Sequence, residues 1–175
     1  MVYLVVAGAE MKQFNSLTSF GAFMKLAVPV TIAAEMKRGL DTSAKLIEKT
    51  AKAEIGHYQP AVGPHPAWPE LAESTQQERE RLGFSADEPL LRTGDLRDSI
   101  EREVHNLVAV VGSKSDIAAY QEFGTDKIPA RPFMGPAAFL NQDKIAKILG
   151  GATVRGLFGG QQVHSSLGYD IDVKP

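Results

Sequence analysis

Residues able to do chemistry are few and scattered in this chain. The histidines are His57, His65, His105 and His164. No two stand at the spacing that puts paired imidazoles on one helix face, and no H-E-x-x-H string occurs. They read as surface or turn histidines. His57 and His65 flank one loop and can approach each other, but no third ligand accompanies them. The carboxylates Asp95, Asp98, Glu101 and Glu103 lie close together, with Arg92, Arg97 and Arg102 interleaved. A glycosidase pair needs two carboxyls opposed across a cleft; alternating signs are instead the pattern of a solvated ion-pair network. Gly124-Thr125-Asp126-Lys127 lacks the leading glycine spacing of a phosphate loop, and no G-x-S-x-G elbow appears. The cluster from Gly156 to Gly160 reads as a linker. With no cysteine, disulfides and thiolate metal sites are excluded. No catalytic residue, cofactor or metal is expected. The enzymatic alternative is a small hydrolase using His57 or His65 with nearby carboxylates, and no motif places its nucleophile or ligand set.

Arg131 is the charged residue most tightly aimed by its chain. Pro132 forces it into an extended backbone, and Pro129 does the same to Ile128. A planar guanidinium can fork onto a carboxylate, and Glu122 is the nearest candidate across the turn. The expectation is a turn-locking or intersubunit Arg131–Glu122 pair; the alternative is a solvent-facing arginine. The surrounding module, YQEFGTDKIPARPFMGPAA from Tyr120 to Ala138, assigns a mechanical job to each residue type. Tyr120 and Phe123 are three apart and share one helical face. Gly124 ends that turn. Phe133 and Met134 return the chain to the core, and Pro136 suits the first turn of a new helix.

The elements that must hold this module follow from periodicity. The apolar run Val2–Val6, stopped by Gly8, predicts a buried strand. The basic residue Lys12 follows the run rather than preceding it, and the run is too short to span a bilayer, so neither a signal peptide nor a membrane span is expected. Asn15 or Ser16 can cap a helix. Ala33, Met36, Leu40, Ala44, Ile47, Ala51 and Ile55 form one apolar stripe and predict a helix from Pro29 to Ile55, about 40 Å long. Residues 57–90 read as a long loop or arm containing a short solvated helix over 70–82. Leu90–Ser99 reads as a helical or turn element. Ile100–Val104 and Leu107–Gly112 predict a hairpin turning at His105-Asn106, with the second strand apolar on both faces and therefore central. Ser115 or Asp116 can cap the helix carrying Tyr120. A final helix from Gly135 to Leu149 buries Ala138, Phe139, Gln142, Ile145 and Leu149, and Gly150-Gly151 stops it. Residues 151–175 read as a flexible tail in which 167–173 alternates weakly.

The fold class expected is α+β: a small, mostly antiparallel sheet covered by one long and one shorter helix. The 175 residues, 43% hydrophobic and 23% charged, suffice for one domain over 1–150. A net charge of −2 gives no basic footprint for gripping nucleic acid.

The string EFGT…PARPF within Tyr120–Ala138 resembles a segment of the small tail-completion and neck proteins of tailed bacteriophages. Leu91-Arg92-Thr93-Gly94-Asp95-Leu96-Arg97-Asp98-Ser99-Ile100 is similar to the L-TG-LR-SI string that precedes a β-hairpin and then the EFGT segment in that family. Trp68-Pro69-Glu70-Leu71 with Ser74-Thr75 is similar to the W-P-L-ST string of its virion-morphogenesis branch. The resemblance covers the middle half of the chain and implies a non-enzymatic structural virion protein of the neck or tail end. Such a protein forms a ring, of six copies by family likeness, that completes the tail and joins it to the head connector. Implied partners are further copies of itself, the tail tube protein, the head connector or adaptor proteins, and genomic DNA passing through the lumen without specific binding, with no membrane. Assembly is expected in the host cytoplasm. By the same likeness Arg92, Gly94, Leu96, Arg97, Tyr120, Glu122, Phe123, Gly124, Arg131, Pro132 and Phe133 are structural or interface residues. The loop 57–89 is expected to project into the lumen or onto a neighbouring ring and to order on assembly. A head-closure or minor capsid protein bearing the same module is the structural alternative.

Overall fold

The structure, a computed structural model, describes residues 2–4, 12–14, 16–157, 159–160 and 168. Val5–Gly8 of the first expected strand, and the tail beyond 160 apart from Gly168, fall outside the described residues. The class is α+β: two-stranded antiparallel pairing accompanied by one long helix and several shorter ones. The chain divides into two compact units, the first comprising residues 1–43, 104–109 and 143–175 and the second 44–103 and 110–142.

In the first unit, strand β1 (Val2–Leu4) pairs antiparallel with β2 (Lys12–Phe14), in register Val2↔Phe14 and Leu4↔Lys12. Helix α1 runs from Leu17 to Glu54, starting well before the expected Pro29, which lies inside it. Ser16 caps it: its Oγ accepts from the Ser19 N–H at 3.1 Å, and the Ser19 hydroxyl donates back to the Ser16 carbonyl at 2.8 Å. Pro29 is exposed inside the helix, and the Ser16 cap moves the start of the helix upstream of it. The first half of α1 buries Glu35, Gly39 and Ser43 rather than Ala33, which is exposed.

Helix α5 spans Met134–Leu157, so Gly150-Gly151 does not end it and the expected tail begins as helix. The reason is close packing. A Cβ on Gly156 would lie 2.5 Å from the Ile32 Cα, and one on Gly39 would lie 3.0 Å from the Ala152 Cβ. Gly156, the first glycine of the cluster that looked like a linker, brings α5 against the α1 backbone, and Gly39 gives room to Ala152. Thr31 Oγ1 seals the contact by donating to the Gly156 carbonyl at 2.6 Å. Arg155 and Arg38 both bond to the buried Glu35 carboxylate. Over residues 17–34, by contrast, α1 holds a single charge, Lys25, and no described residue there is buried.

The second unit holds the core, formed by Ala51, Ile55, Trp68, Leu96, Ile100, Ala118, Phe133 and Ala137. Helix α2 (Glu73–Arg81) and the short α3 (Asp95–Asp98) precede a hairpin of β3 (Ile100–His105) and β4 (Val108–Ser113). The hairpin turns at Asn106-Leu107, with Asn106 at φ 54°, one residue later than the expected His105-Asn106. Among the described residues β4 pairs only with β3, so it is an edge strand and not central, and Val108 and Val110 are 61% and 60% exposed. Helix α4 (Asp116–Phe123) follows. Ser115 takes its N-cap position without a side-chain cap bond. Within this unit α5 buries Ala137 and Asn141 while Ala138, Phe139 and Gln142 are exposed, so the inner face lies one residue earlier than expected. Asn141 is tolerated inside because its amide donates to Thr50 Oγ1 and to the Ala137 carbonyl, each at 2.8 Å.

Candidate functional site

The segment from Tyr120 to Gly135 is built on three backbone devices. Gly124, at φ 75°, ends α4, and a Cβ there would sit 2.9 Å from the Ala130 nitrogen, so the approach demands glycine. Thr125 N–H donates to the Ile128 carbonyl at 2.8 Å, closing the turn. Arg131 N–H donates to the Gln121 carbonyl at 2.7 Å and ties the strand of prolines back onto α4.

Arg131 and Glu122 do not pair, which corrects the expectation drawn from their positions. Arg131 is buried, 5% exposed, and reaches the main chain of residues 69–70. Its Nε donates to the Pro69 carbonyl at 3.1 Å, and its Nη2 donates to Pro69 and Glu70 carbonyls at 2.9 and 3.0 Å. Burial lowers its pKa from the ordinary arginine value, opposed by the nearby Tyr58. Glu122 turns the other way and accepts from the first amides of α5: Phe133 and Met134 on Oε2 at 2.8 and 2.9 Å, and Gly135 on Oε1 at 2.9 Å. An anion belongs at a helix N-terminus, where free N–H groups and the macrodipole both favour it. A guanidinium can equally be satisfied by carbonyl dipoles. Each charge therefore has a better main-chain partner than the other.

Trp68 completes the brace. It is buried among core residues, and its indole Nε1 donates to the Pro132 carbonyl at 2.8 Å. Pro132 and Phe133 are buried, Phe133 completely. The two stretches WPEL and PARPF, far apart in the chain, thus form one clamp through Trp68, Arg131 and the carbonyls between them.

Segment 57–90, expected as an arm that orders on assembly, is held down in the single chain. Val62 and His65 form a β-bridge. The His65 ring covers Gly135, where a Cβ would lie 2.4 Å from its Cε1, and Phe139 covers Gly63 in the same way. Tyr58 donates to Asp87 at 2.6 Å and accepts from Leu71 N–H at 3.1 Å; burial first, and then Asp87, raises its pKa. Arg79, expected on a solvated helix, is buried, and its guanidinium donates to the Ser85 and Leu91 carbonyls. Tyr58, His65 and Arg79 thus tie the segment down through polar and ring contacts, which its Pro- and charge-rich composition did not signal.

The remaining expected residues divide between core and surface. Gly94 caps α3 with φ 95°, and Leu96 joins the core. Arg92 lies over the Phe84 ring at 5.1 Å and 3.8 Å from Glu78, while Arg97 bonds Asp98 at 3.1 Å. Arg102 bonds Glu48 of α1 at 2.6 Å. Lys52 and Arg102 hold the Glu48 carboxyl below the usual carboxylate range, against a smaller opposing effect of burial. Tyr120 and Phe123, aligned on α4 as their spacing requires, face outward with Ile117 at 50%, 82% and 56% exposure. His57 and His105 are exposed, and His164 lies outside the described residues. Among the described residues no group of three His, Asp or Glu side chains is placed to hold a metal.

Glu54 is the buried group that residue types and spacing did not reveal. It ends α1 at 5% exposure, and neither carboxyl oxygen has a hydrogen-bond partner in the protein. Burial, with the Glu122 charge second, pushes its pKa up to about 7. A signal existed: it follows Ala51 by three and adjoins Ile55 on the apolar stripe, at a helix end that disfavours anions.

No family model, curated protein or solved structure matches the chain.

Proposed function

We propose that this protein is a structural component of the neck or tail end of a tailed phage, assembling into a ring that completes the tail and joins it to the head connector. The observation that carries the reading is the behaviour of the motif residues as one body. WPEL, LRTGDLRDSI and PARPF contribute Trp68, Leu96, Ile100 and Phe133 to a single core. That body turns Ile117, Tyr120 and Phe123 outward. A rigid scaffold displaying large apolar side chains suits a subunit that meets neighbours. The edges of the β3–β4 pair and the exposed Leu17, Leu26 and Val30 of α1 support the same reading, because each is a surface that a second chain would cover. A net charge of −2 suits a lumen through which DNA slides without being gripped.

The test is native mass spectrometry across a concentration series, with negative-stain images of the largest species and a parallel sample containing purified tail tubes. A closed ring, alone or on the tubes, is the expected result. A monomer that ignores the tubes at every concentration defeats the proposal. Recovery on isolated head connectors instead would favour the head-closure alternative.

A further inference from the structure

The first half of α1 is apolar on more faces than α5 covers. An 18-residue window of the helix has a mean hydropathy of 1.5, and none of it is buried. Thr31 and Ile32 meet Gly156 of α5 on one side. On another side Ala22, Leu26, Val30 and Ala33 follow at helical spacing and share a face. Leu26 and Val30 there are 77% and 69% exposed. A helix that is apolar on several sides needs an apolar cover on each. The position of the α5 end says what that cover is. Helices α1 and α5 run antiparallel, Ala152 against Gly39 and Gly156 against Ile32, so α5 ends alongside the uncovered stretch. Gly159 and Gly160 then turn the chain at φ 72° and 86°, with the Gly160 N–H donating to the Arg155 carbonyl at 2.7 Å. A Cβ on Gly160 would lie 3.7 Å from Glu35 Oε1, so the chain after residue 160 starts beside Glu35. From there Leu17 is about 27 Å away along the helix, and residues 161–173 can span up to about 43 Å.

That stretch of chain matches the face in pattern and in charge. After Gly168, at φ 70°, Tyr169, Ile171 and Val173 alternate with Asp170 and Asp172, the pattern of a strand with one apolar side. The exposed charges of α1 up to residue 40 are Lys25, Lys37 and Arg38, all positive, while the charges of 161–173 are Asp170 and Asp172. We propose that residues 169–173 lie extended across the Leu26–Val30 face of α1 in the same chain. Tyr169, Ile171 and Val173 then cover the helix, and the two aspartates turn outward toward the lysines that flank it. A tether this short holds the segment at an effective concentration of about millimolar, ahead of any second copy in dilute solution. The strap keeps the face from water in the isolated chain. Its docking does not depend on ring assembly; its release when a neighbour takes the face rests on the ring reading.

The chain has no cysteine, so Lys174→Cys accepts a single spin label just beyond the segment. In dilute full-length protein the label should broaden the amide NMR signals of residues 22–33, relative to the same sample with the label reduced. Tyr169→Ser with Ile171→Ser should abolish the broadening. Lys25→Glu with Lys37→Glu should weaken it, and adding Asp170→Lys and Asp172→Lys to that pair should bring it back. Unbroadened signals in the otherwise unaltered chain overturn the proposal. Broadening that passes to 15N-labelled protein without a spin label, when the two are mixed, overturns it too and assigns the strap to a second copy. Flotation of the chain with neutral phosphatidylcholine vesicles, in the absence of broadening, overturns it in favour of lipid. Native mass spectra of the same samples report assembly separately. A ring that forms from chains showing no broadening at any dilution defeats the strap alone, and a docked strap in a chain that never assembles upholds it while defeating the ring.

Discussion

Arg131 and Glu122 carry opposite charges on either side of one turn, yet each is satisfied by main chain. The distinction has measurable consequences. Arg131→Ala empties a buried side-chain position and removes the donors of the Pro69 and Glu70 carbonyls, and should cost about 2–4 kcal/mol in urea denaturation. Arg131→Lys should recover only part of that loss, because an ammonium does not reproduce the fork. If the two residues acted as an ion pair, a double variant with Glu122→Ala would show strong coupling; the separate partners predict near-additive costs. At Glu54 the sign is fixed by a folded pKa of about 7 against 4.5 when unfolded. The protonated form is favoured by the fold. Its stabilising contribution is therefore complete below about pH 4.5 and lost progressively as pH rises to about 7, on the order of 3 kcal/mol in all. Unfolding midpoints of the wild type should fall across that window, and Glu54→Gln should remove that part of the slope.

At the level of elements, glycine has two opposite uses in this chain. A Cβ at Gly156 meets the Ile32 backbone, so Gly156→Ala should destabilise by about 1–3 kcal/mol through forced separation of α1 and α5. A Cβ at Gly21 of α1 meets nothing within 4 Å, so Gly21→Ala should raise stability by about 0.5–1 kcal/mol. Paired thermal melts check both, and equal effects would refute the packing account. The hairpin, the Ser16 cap, the Gly124 turn and the lower half of the α1 stripe were legible because each depends on neighbours within a turn or a strand pair. The length of α1, the end of α5 and the burial of Arg79 were not. Gly150-Gly151 is a breaker by local propensity that the packing of α5 on α1 overrides, while Pro29 stays exposed inside a helix that starts at the Ser16 cap.

For the molecule as a whole, the question is which exposed apolar residues another chain covers. Phe123 is 82% exposed and makes no contribution to the core cluster. Phe123→Ser should leave the urea midpoint within about 0.5 kcal/mol of wild type while shifting the native mass distribution toward monomer. Loss of fold with loss of assembly would assign Phe123 to stability instead. Segment 57–90 should resist limited proteolysis in the isolated chain, since Trp68, Arg79 and Tyr58 anchor it there.

Chain order and residue type alone establish an α+β class, a hairpin ahead of the EFGT segment, and a turn at Gly124 that only glycine can make. These are short-range properties, set by φ preferences and side-chain periodicity. Partner choice is long-range and came only with the fold. Nothing local says that Trp68 meets Pro132, that Arg131 reaches back to Pro69, or that Glu122 caps α5 while Glu54 is buried without a side-chain partner. Buried charges and indoles bond to whichever dipoles three-dimensional packing brings within reach, and those dipoles belong to the main chain, which carries no residue-specific signal.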